Sequence, residues 1–357
     1  MSMSKQVSTI ILVLLFSLVA SGCGLFGDQE SLDPPQDVSY LEEVDELESL
    51  DEESKANETT EEETSATETV MTELYLINEE GLVVAQTLPL PKTEGVAAQA
   101  LEYLVDDGPV MNILPNGFRP VLPAGTEMSV DVKDGVAIVD FSKEFLNYHP
   151  DDEKRILQAI TWTLTQFDSI DKIELRVNGQ PLSEMPVNGT PISEEGLSRK
   201  DGINLDISGI VDITNTNPIT VYYLAQNGDQ FYYVPVTKRV ESGKGHLVEA
   251  VVKELVNGPP LTTNLVTMFL PDVKLVEQPQ IQDGTVTLNF NEALFGGFGE
   301  QIVSEQLLHS LVLSLTEIEG IESVVVTVNG QGDLLTETGK SLSEPVSRPD
   351  TVNTIGL

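Results

Sequence analysis

One stretch occurs twice in this chain, as Asp134-Gly135-Val136-Ala137-Ile138-Val139-Asp140-Phe141 and as Asp283-Gly284-Thr285-Val286-Thr287-Leu288-Asn289-Phe290. In both versions an Asp-Gly pair precedes a run that has an apolar residue at every second position. Asp-Gly tolerates the positive φ angles of a two-residue hairpin turn, and the alternation is typical of a strand with one buried face. The stretch therefore predicts the turn and the second strand of a β-hairpin, present in two versions.

Other landmarks repeat in the same order, about 150 residues apart. The matching segments are Leu74–Ile77 with Val221–Leu224, Leu104–Pro109 with Leu255–Pro259, Arg176–Gln180 with Thr327–Gln331, and Ser198–Asp201 with Ser347–Asp350. This order indicates an internal duplication. We call residues 71–205 repeat one and residues 218–357 repeat two, with a packed connector predicted at 206–217.

The apolar spacing predicts the order ββ-α-ββ-α-β in each repeat, with opening hairpins over about 73–88 and 219–236. The first helices are marked by Ala97, Ala100, Leu101, Leu104 and Val105, and by Val248, Val251, Val252, Leu255 and Val256. The second helices are marked by Ile156, Ile160, Leu164 and Phe167, and by Leu307, Leu311, Leu315 and Ile318. Each first helix is expected to stop at a Gly-Pro signal. The predicted class is α+β: two tandem sandwich domains, each a sheet packed on two helices.

The N-terminus predicts export and lipidation. An apolar stretch over 10–20 is too short to cross a bilayer and has the length of a signal-peptide core, so residues 1–22 are interpreted as a signal peptide. Cys23, the only cysteine, follows small residues in a pattern that resembles the lipobox of bacterial lipoproteins, where the thiol is alkylated by diacylglycerol. The alternative is a plain secretory signal with an incidental cysteine. With no second thiol, no disulfide is expected.

Residues 23–70 are predicted to form a disordered acidic linker behind the lipidated cysteine. Beyond Cys23 this segment is rich in Glu, Asp, Ser and Thr, and Lys55 is its one basic residue, a composition typical of disorder. The chain as a whole carries a net charge of -39. Phosphates would be repelled, so nucleic acid is excluded as the main partner. The linker is interpreted as a spacer, with an acidic docking motif as the alternative.

No arrangement of residues indicates catalysis. The three histidines, His149, His246 and His309, fall in different segments, and none has a second ligand at the i+3 or i+4 spacing of a helical metal site. No nucleophile elbow or phosphate-binding loop is present. Trp162 is interpreted as a packing residue, with sugar stacking as the alternative. We expect no enzyme activity, no metal and no cofactor.

The repeated tail offers candidate structural residues. Arg199 and Arg348 are rare positive charges, and Asp201 or Asp350 follows two positions later. The hypothesis is that each arginine clamps its tail onto its own domain through carboxylate or carbonyl contacts, because guanidinium presents a rigid fork of donors. Replacing either arginine by alanine would then lower the melting temperature by several degrees. The alternative is an exposed charge in a loop.

Differences between the repeats suggest where a partner binds. On the outward face of the second hairpin, repeat one has Val136 and Ile138 where repeat two has threonines, and an apolar outward pair is typical of an interaction surface. Repeat two instead has Phe295 and Phe298 in a glycine-rich segment. These four residues are the candidate partner surface. For the phenylalanine segment, a buried turn is the alternative.

These features together resemble the GerM family of sporulation and germination lipoproteins, whose repeats are GerMN domains. The resemblance covers residues 71–357 and is carried by the start at 21–26, the strand that ends in Asn-Gly, and the Ser-Arg-x-Asp tail. Repeat one departs from the tail pattern at Lys200, where repeat two has Pro349. The resemblance implies a fold similar to the ring-building motif, no known catalytic residues, and support for assembly of the complex that links mother cell and forespore.

The expected function is a non-enzymatic scaffold at the extracytoplasmic face of the cell membrane, which in a sporulating cell is the mother-cell membrane facing the intermembrane space. Its expected partners are protein components of the sporulation trans-envelope complex, with the membrane reached through the lipid anchor on Cys23. The alternative is a cell-wall-associated factor that binds peptidoglycan or helps to remodel it during germination.

Overall fold

The computed structural model describes residues 68–208, 215–241, 247–297 and 301–354. They belong to one compact unit, Thr64–Leu357. The predicted signal peptide, Cys23, most of the linker, Phe298, His246 and part of the connector lie outside the described residues. Within those ranges no helix is long and apolar enough to cross a membrane.

Repeat one folds into two sheets. Its strands are β1 (Thr69–Asn78), β2 (Val83–Pro91), β3 (Phe118–Arg119), β4 (Met128–Lys133), β5 (Val136–Phe141), β6 (Lys172–Val177) and β7 (Gln180–Pro181), and its helices are α1 (Val96–Glu102) and α2 (Glu153–Leu164). The hairpin β1–β2 takes up β3 in one sheet, and the second sheet has the order β4-β5-β6-β7. Because α2 crosses over between β5 and β6, these two strands pair in parallel.

Repeat two follows the same plan. Its strands are β8 (Thr216–Asn227), β9 (Gln230–Glu241), β10 (Gln280–Gln282), β11 (Thr285–Phe290), β12 (Ile302–Val303), β13 (Ser323–Val328), β14 (Leu335–Thr336) and β15 (Val346–Ser347), and its helices are α3 (Leu247–Asn257) and α4 (Glu305–Leu315). The hairpin β8–β9 forms one sheet, and the second sheet has the order β10-β11-β13-β15.

The predicted α+β class is confirmed. The Asp-Gly turns fall at residues 134–135 and 283–284, with positive φ at all four positions. Alternate residues of β5 and β11 are buried, so the inner face of each second sheet lies against the core. In each repeat the opening hairpin lies in a sheet separate from the second sheet, and its strand β2 or β9 is at an edge of that sheet, so that these two strands can face each other.

The first helix of repeat one ends earlier than its apolar pattern predicts. The α1 helix stops at Glu102, although Leu104 and Val105 are buried. The carbonyl oxygen of Leu104 accepts hydrogen bonds from the N–H groups of Val121 and Leu122 at 3.0 and 2.8 Å. Pairing with this neighbouring loop takes the backbone groups that a longer helix would use.

In repeat two the Gly-Pro signal acts as expected. The α3 helix runs to Asn257, and Gly258 adopts φ +80° while its N–H donates to the carbonyl oxygen of Glu254 at 3.1 Å. A glycine in the left-handed region just after the helix is the usual stop.

The edge segment that precedes the Asp-Gly turn of the second sheet is two residues longer in repeat two than in repeat one. Ser142 N–H donates to the carbonyl oxygen of Glu127, and the matching bond in repeat two runs from Asn291 N–H to Lys274. Glu127 lies seven positions before its Asp-Gly turn and Lys274 lies nine before its own, so two extra residues bulge out of the edge in repeat two. Beside this bulge, a groove of about 540 Å³ runs between α3 and residues 271–278.

Candidate functional site: the interface between the repeats

The interface between the repeats is built on the outer strands β2 and β9. Val84 on β2 is fully buried and belongs to the core of repeat two rather than to that of repeat one. Phe118, beside β1, packs edge-on against Tyr232 of β9, with ring centroids 5.5 Å apart. The described part of the two repeats therefore shares apolar side chains across the junction.

The C-terminal tails bind reciprocally across this junction. In the tail of repeat one, Ile203 N–H donates to the hydroxyl of Thr237 on β9 at 2.9 Å, and Thr237 N–H donates to the carbonyl oxygen of Ile203 at 2.8 Å. In the tail of repeat two, Val352 N–H donates to the hydroxyl of Thr87 on β2 at 3.0 Å, and that hydroxyl donates to the carbonyl oxygen of Val352 at 2.6 Å. Each tail is thus fixed to the hairpin of the other repeat.

One asparagine in each tail bridges both hairpins. The Asn204 side chain accepts from Val83 N–H at 2.8 Å and donates to the carbonyl oxygens of Val83 and Pro235 at 2.7 and 2.8 Å. The Asn353 side chain makes the mirrored set of bonds, to Tyr233 on β9 and Ala85 on β2. Both asparagines have positive φ, 47° and 57°, a conformation that asparagine tolerates better than most residues.

The second helices bring matched hydroxyls to the opening hairpins. The hydroxyl of Thr163 on α2 accepts from Tyr75 N–H at 3.1 Å, and the hydroxyl of Ser314 on α4 accepts from Tyr222 N–H at 2.9 Å. These contacts hold both tyrosines, which are fully buried, against their helices. Tyr222 is thereby placed beside the charged tail residues.

A charged cluster joins the two tails at one carboxylate. Glu317, just after α4, accepts from Nη1 of Arg199 at 2.9 Å and from Nη1 of Arg348 at 3.0 Å. The hydroxyl of Tyr222 donates to the same carboxylate at 2.8 Å. Arg199 belongs to the tail of repeat one and Arg348 to that of repeat two, so Glu317 connects the repeats through both arginines.

The rest of each guanidinium is held by its own repeat. Nε of Arg199 donates to the hydroxyl of Thr165 at 3.1 Å, and the guanidinium lies 4.4 Å from the ring centroid of Trp162. Arg348 donates to the carbonyl oxygen of Leu313 at 3.4 Å and to the hydroxyl of Tyr222 at 3.1 Å. Both arginines therefore contact their own domains, and Arg199 in addition reaches repeat two.

Burial and charge act in opposite directions on this cluster. Burial raises the pKa of Glu317, but Arg199 and Arg348 outweigh it and hold the pKa below its ordinary value. Burial lowers the pKa of both arginines, but the charge of the Glu317 carboxylate outweighs it, and the pKa of each stays above the ordinary value. For nearby Glu73, burial dominates and raises the pKa although Arg348 and Arg199 lower it. Glu317 and its two arginines, which form the centre of the cluster, are therefore all ionised at neutral pH.

The aspartates of the tail motif have separate positions. Asp201 accepts from Ser198 N–H at 2.7 Å in a capping box that closes the short turn Arg199–Asp201. Asp350 is exposed and follows β15. The motif thus places its arginines in the interface, while Asp201 shapes the turn that presents Arg199.

Two residues of the candidate partner surface, Val136 and Ile138, lie on the outer face of the second sheet in repeat one. Val136 and Ile138 are half-buried on β5, and the paired strands set charged residues beside them, Lys133 and Lys172 next to Val136, and Asp131 and Glu174 next to Ile138. The same face of β11 in repeat two carries Thr285 and Thr287, next to Gln280, Gln282, Ser323 and Val325. Repeat one therefore presents a charged and apolar face, and repeat two a neutral one.

The remaining residues singled out from the sequence lie apart from this cluster. Phe295 is partly buried and packs against the core of repeat two. Trp162 is fully buried. His149 is largely exposed, whereas His309 packs near Tyr233. Within the described ranges, no group of three or more His, Cys, Asp or Glu residues is placed to hold a metal.

Comparison with known proteins places this fold in a family. A family model described as Germane, sporulation and spore germination, matches residues 73–183 and 220–333, one match for each repeat. The chain belongs to the Germane family. This confirms the resemblance to GerM-type proteins that the tail and the Asn-Gly endings indicate.

A relative and the solved structure of its tandem domains extend the match beyond the Germane domains. The spore germination protein GerM of Bacillus subtilis is 54% identical over 351 residues, which cover 96% of this chain and 96% of that protein. The solved structure of the tandem GerMN domains of the sporulation protein GerM from Bacillus subtilis is 58% identical, with a TM-score of 0.76, and covers 80% of this chain and 99% of that one. The tandem arrangement is therefore that of the Germane relative.

Sequence reasoning missed several residues of this Germane interface. Glu317 is one of many acidic residues, and Asn204 and Asn353 lie three residues beyond the matched tail segments Ser198–Asp201 and Ser347–Asp350. The sequence does carry a signal for Glu317. When the two repeats are aligned, the residue of repeat one that matches Glu317 is Gln166, two positions after the end of α2. A charge that is present in only one repeat indicates a position at which the matching residues contact different groups.

Proposed function

We propose that this chain is a non-catalytic lipoprotein that supports assembly or stability of the mother-cell/forespore trans-envelope complex, and thereby germination. Membership of a family of sporulation and spore germination proteins supports the broader role in sporulation and germination. The lipid on Cys23 anchors it at the extracytoplasmic face of the membrane, since acyl chains contribute about 0.8 kcal/mol per buried methylene.

The observation that carries the proposal is the reciprocal binding of the tails. Each tail bonds to the hairpin of the other repeat, and Glu317 joins both tail arginines. A junction held in this way presents two sheet faces in one fixed relation, as a scaffold requires. The strongest charges of the interface are engaged in structural contacts, which supports a role without catalysis.

The partner contact is proposed on the outer face of repeat one. Val136 and Ile138 lie there among charged neighbours, which gives both apolar area and a charge pattern for recognition. The matching face of repeat two is neutral. We therefore assign specific protein contact to repeat one and treat the face of repeat two as its internal control.

Site-specific photo-crosslinking in sporulating cells tests this proposal. A photoreactive residue replaces Ile138 in one strain and Thr287, its match on β11, in another, each in the lipidated chain at native level. Crosslinks from position 138 to integral components of the mother-cell/forespore complex, and few from position 287, are expected. Crosslinks that run only to wall-processing proteins, together with binding of the purified chain to insoluble peptidoglycan, would replace the scaffold with a wall-associated function.

A further inference from the structure

The strand β4 forms an open edge of the second sheet in repeat one. It stands first in the order β4-β5-β6-β7. Its residues are exposed or half-buried over the whole length of Met128–Lys133. Across the described ranges, no hydrogen bond reaches this strand from any element other than β5. An edge of six residues is long enough to template another strand.

The backbone groups at this edge can be assigned from the hairpin. Lys133 and Val136 flank the two-residue turn, and Glu127 accepts from Ser142 N–H at 2.8 Å, so odd-numbered residues of the strand bond to β5. Hydrogen-bonded and non-bonded positions alternate in an antiparallel pair. The N–H and C=O groups of Met128, Val130 and Val132 therefore point away from β5 into the open edge.

Repeat two lacks this feature. Its edge strand β10 has only three residues, Gln280–Gln282, and the two-residue bulge that precedes it contains Pro279. Short strands, bulges and prolines are the means by which proteins protect a sheet edge against pairing. The edge of the second sheet is thus protected in repeat two and open in repeat one.

We infer that two molecules of this chain associate edge to edge through β4, antiparallel about a two-fold axis at Val130. In this register Val130 faces Val130 of the second molecule, Met128 faces Val132, and Glu127 faces Lys133. The apolar pairs lie on the core side and the two Glu127–Lys133 ion pairs on the outer side. The two second sheets join into one continuous sheet.

The charges along the strand favour this register over its neighbour. The two strands can form hydrogen bonds only in registers that set an outward-pointing residue of one molecule opposite an outward-pointing residue of the other. In these registers the two-fold axis lies at successive residues of the strand. Centring the axis on Asp131 would set Asp131 opposite Asp131 of the second molecule, and like charges directly opposite are destabilising. Centring on Val132 gives opposite charges but pairs only the end of the strand. The axis at Val130 uses the strand from Glu127 to Lys133.

Sedimentation velocity over a range of concentrations tests the association. The sample is the chain from residue 24 to 357, which includes the compact unit and carries no acyl group. The tandem domains of the Bacillus subtilis relative have a structure of their own, so this part is expected to fold. A concentration-dependent dimer is expected. V130P removes an outward N–H and raises the dimer dissociation constant by at least about tenfold.

Charge reversal keeps the inference falsifiable if V130P unfolds. E127K and K133E each weaken the dimer roughly fivefold, because two ion pairs become like-charge pairs, and the double variant restores the wild-type dissociation constant. I281P at the outward position of β10 is the matched control and leaves the dimer unchanged. A monomer at every concentration, or a dimer indifferent to both V130P and the charge reversals, would overturn the inference.

Discussion

The joint between the two repeats, meaning the interface formed by their tails and opening hairpins, is symmetric in its backbone contacts but not in its charges. The tails bind the opposite hairpins in the same way, through Ile203 with Thr237 and Val352 with Thr87. At the matched position after the second helix, Gln166 of repeat one bonds to the backbone of its own β1, whereas Glu317 of repeat two binds both tail arginines. Duplication explains why the backbone contacts of the joint are symmetric. Substitution of single side chains after the duplication explains why the two repeats contribute different charges to it.

The outer surfaces of the repeats differ in the same sense. Repeat one keeps an open edge strand and an outer face with charged and apolar residues, while repeat two has a bulged edge and a neutral outer face. Repeat two supplies Glu317 and Tyr222 to the joint. Repeat one has the open edge and the charged outer face to which the proposals above assign contact with other molecules.

The largest expected effect comes from removing the shared carboxylate. Glu317→Ala leaves two largely buried guanidiniums without their counter-charge, and we expect a loss of about 4 kcal/mol in the free energy of unfolding. Gln166→Ala, the matched change in repeat one, removes only neutral hydrogen bonds and costs about 1 kcal/mol. Urea unfolding followed by circular dichroism measures both. Equal losses at the two positions would contradict the asymmetry of the joint.

The second effect concerns a buried carboxylate that repeat two lacks. Glu153 is 1% exposed at the start of α2 and accepts hydrogen bonds from Tyr148, Asn188 and Thr190. Burial raises its pKa, but the hydroxyl of Thr190 and the other donors outweigh it and lower the pKa to about 2. Glu305, near the same point of α4, is more exposed and accepts from Thr338.

The sign of the pH dependence follows from the lowered pKa of Glu153. A carboxylate whose folded pKa lies below its unfolded value of 4.5 stabilises the protein above that value, and the contribution is lost as pH falls toward 2. Glu153→Gln should therefore cost about 3 kcal/mol at pH 7 and progressively less in acid. Glu305→Gln is the matched control on α4 and should cost less than Glu153→Gln at pH 7, because Glu305 is more exposed. A Glu153→Gln penalty that is constant between pH 7 and pH 3 would be inconsistent with the lowered pKa.

A smaller effect is expected at Trp162, where repeat two has Leu313. Trp162→Leu removes the ring that lies under Arg199 and leaves a cavity, at a cost of about 2 kcal/mol. The cost is moderated because the indole Nε1 has no hydrogen-bond partner among the described residues. Leu313→Met conserves volume and costs about 1 kcal/mol or less. Thermal unfolding followed by far-ultraviolet circular dichroism compares the two, and a larger loss at Leu313 would reverse the expected order.

The elements of the fold could be predicted because their signals are local. The Asp-Gly pairs determine both second hairpins, and the spacing around Ile160 and Leu311 determines both second helices. The joint could not be predicted in the same way, since Arg199 and Glu317 lie 118 residues apart and no periodicity selects one partner among 58 acidic residues. The early end of α1 was missed for a related reason: its last turn is replaced by pairing with Val121 and Leu122, which tertiary contact alone decides.

The smallest effect tests the symmetry of the joint itself. Asn204→Gly and Asn353→Gly each keep the positive φ of the tail but remove the side chain that bridges β2 and β9. Each change should cost about 1.5 kcal/mol, because buried backbone groups such as those of Val83 and Ala85 lose a partner, while water can enter the space that the side chain leaves and replace part of the lost bonding. Alanine at either position adds backbone strain and should cost more than glycine. Chemical denaturation of the four variants provides the comparison. If the two glycine variants lose equal stability, the tails are equivalent joints inherited from the duplication. If Asn353→Gly costs much more than Asn204→Gly, the tail that closes the chain carries the joint, and the symmetry of the bonds does not extend to their energies.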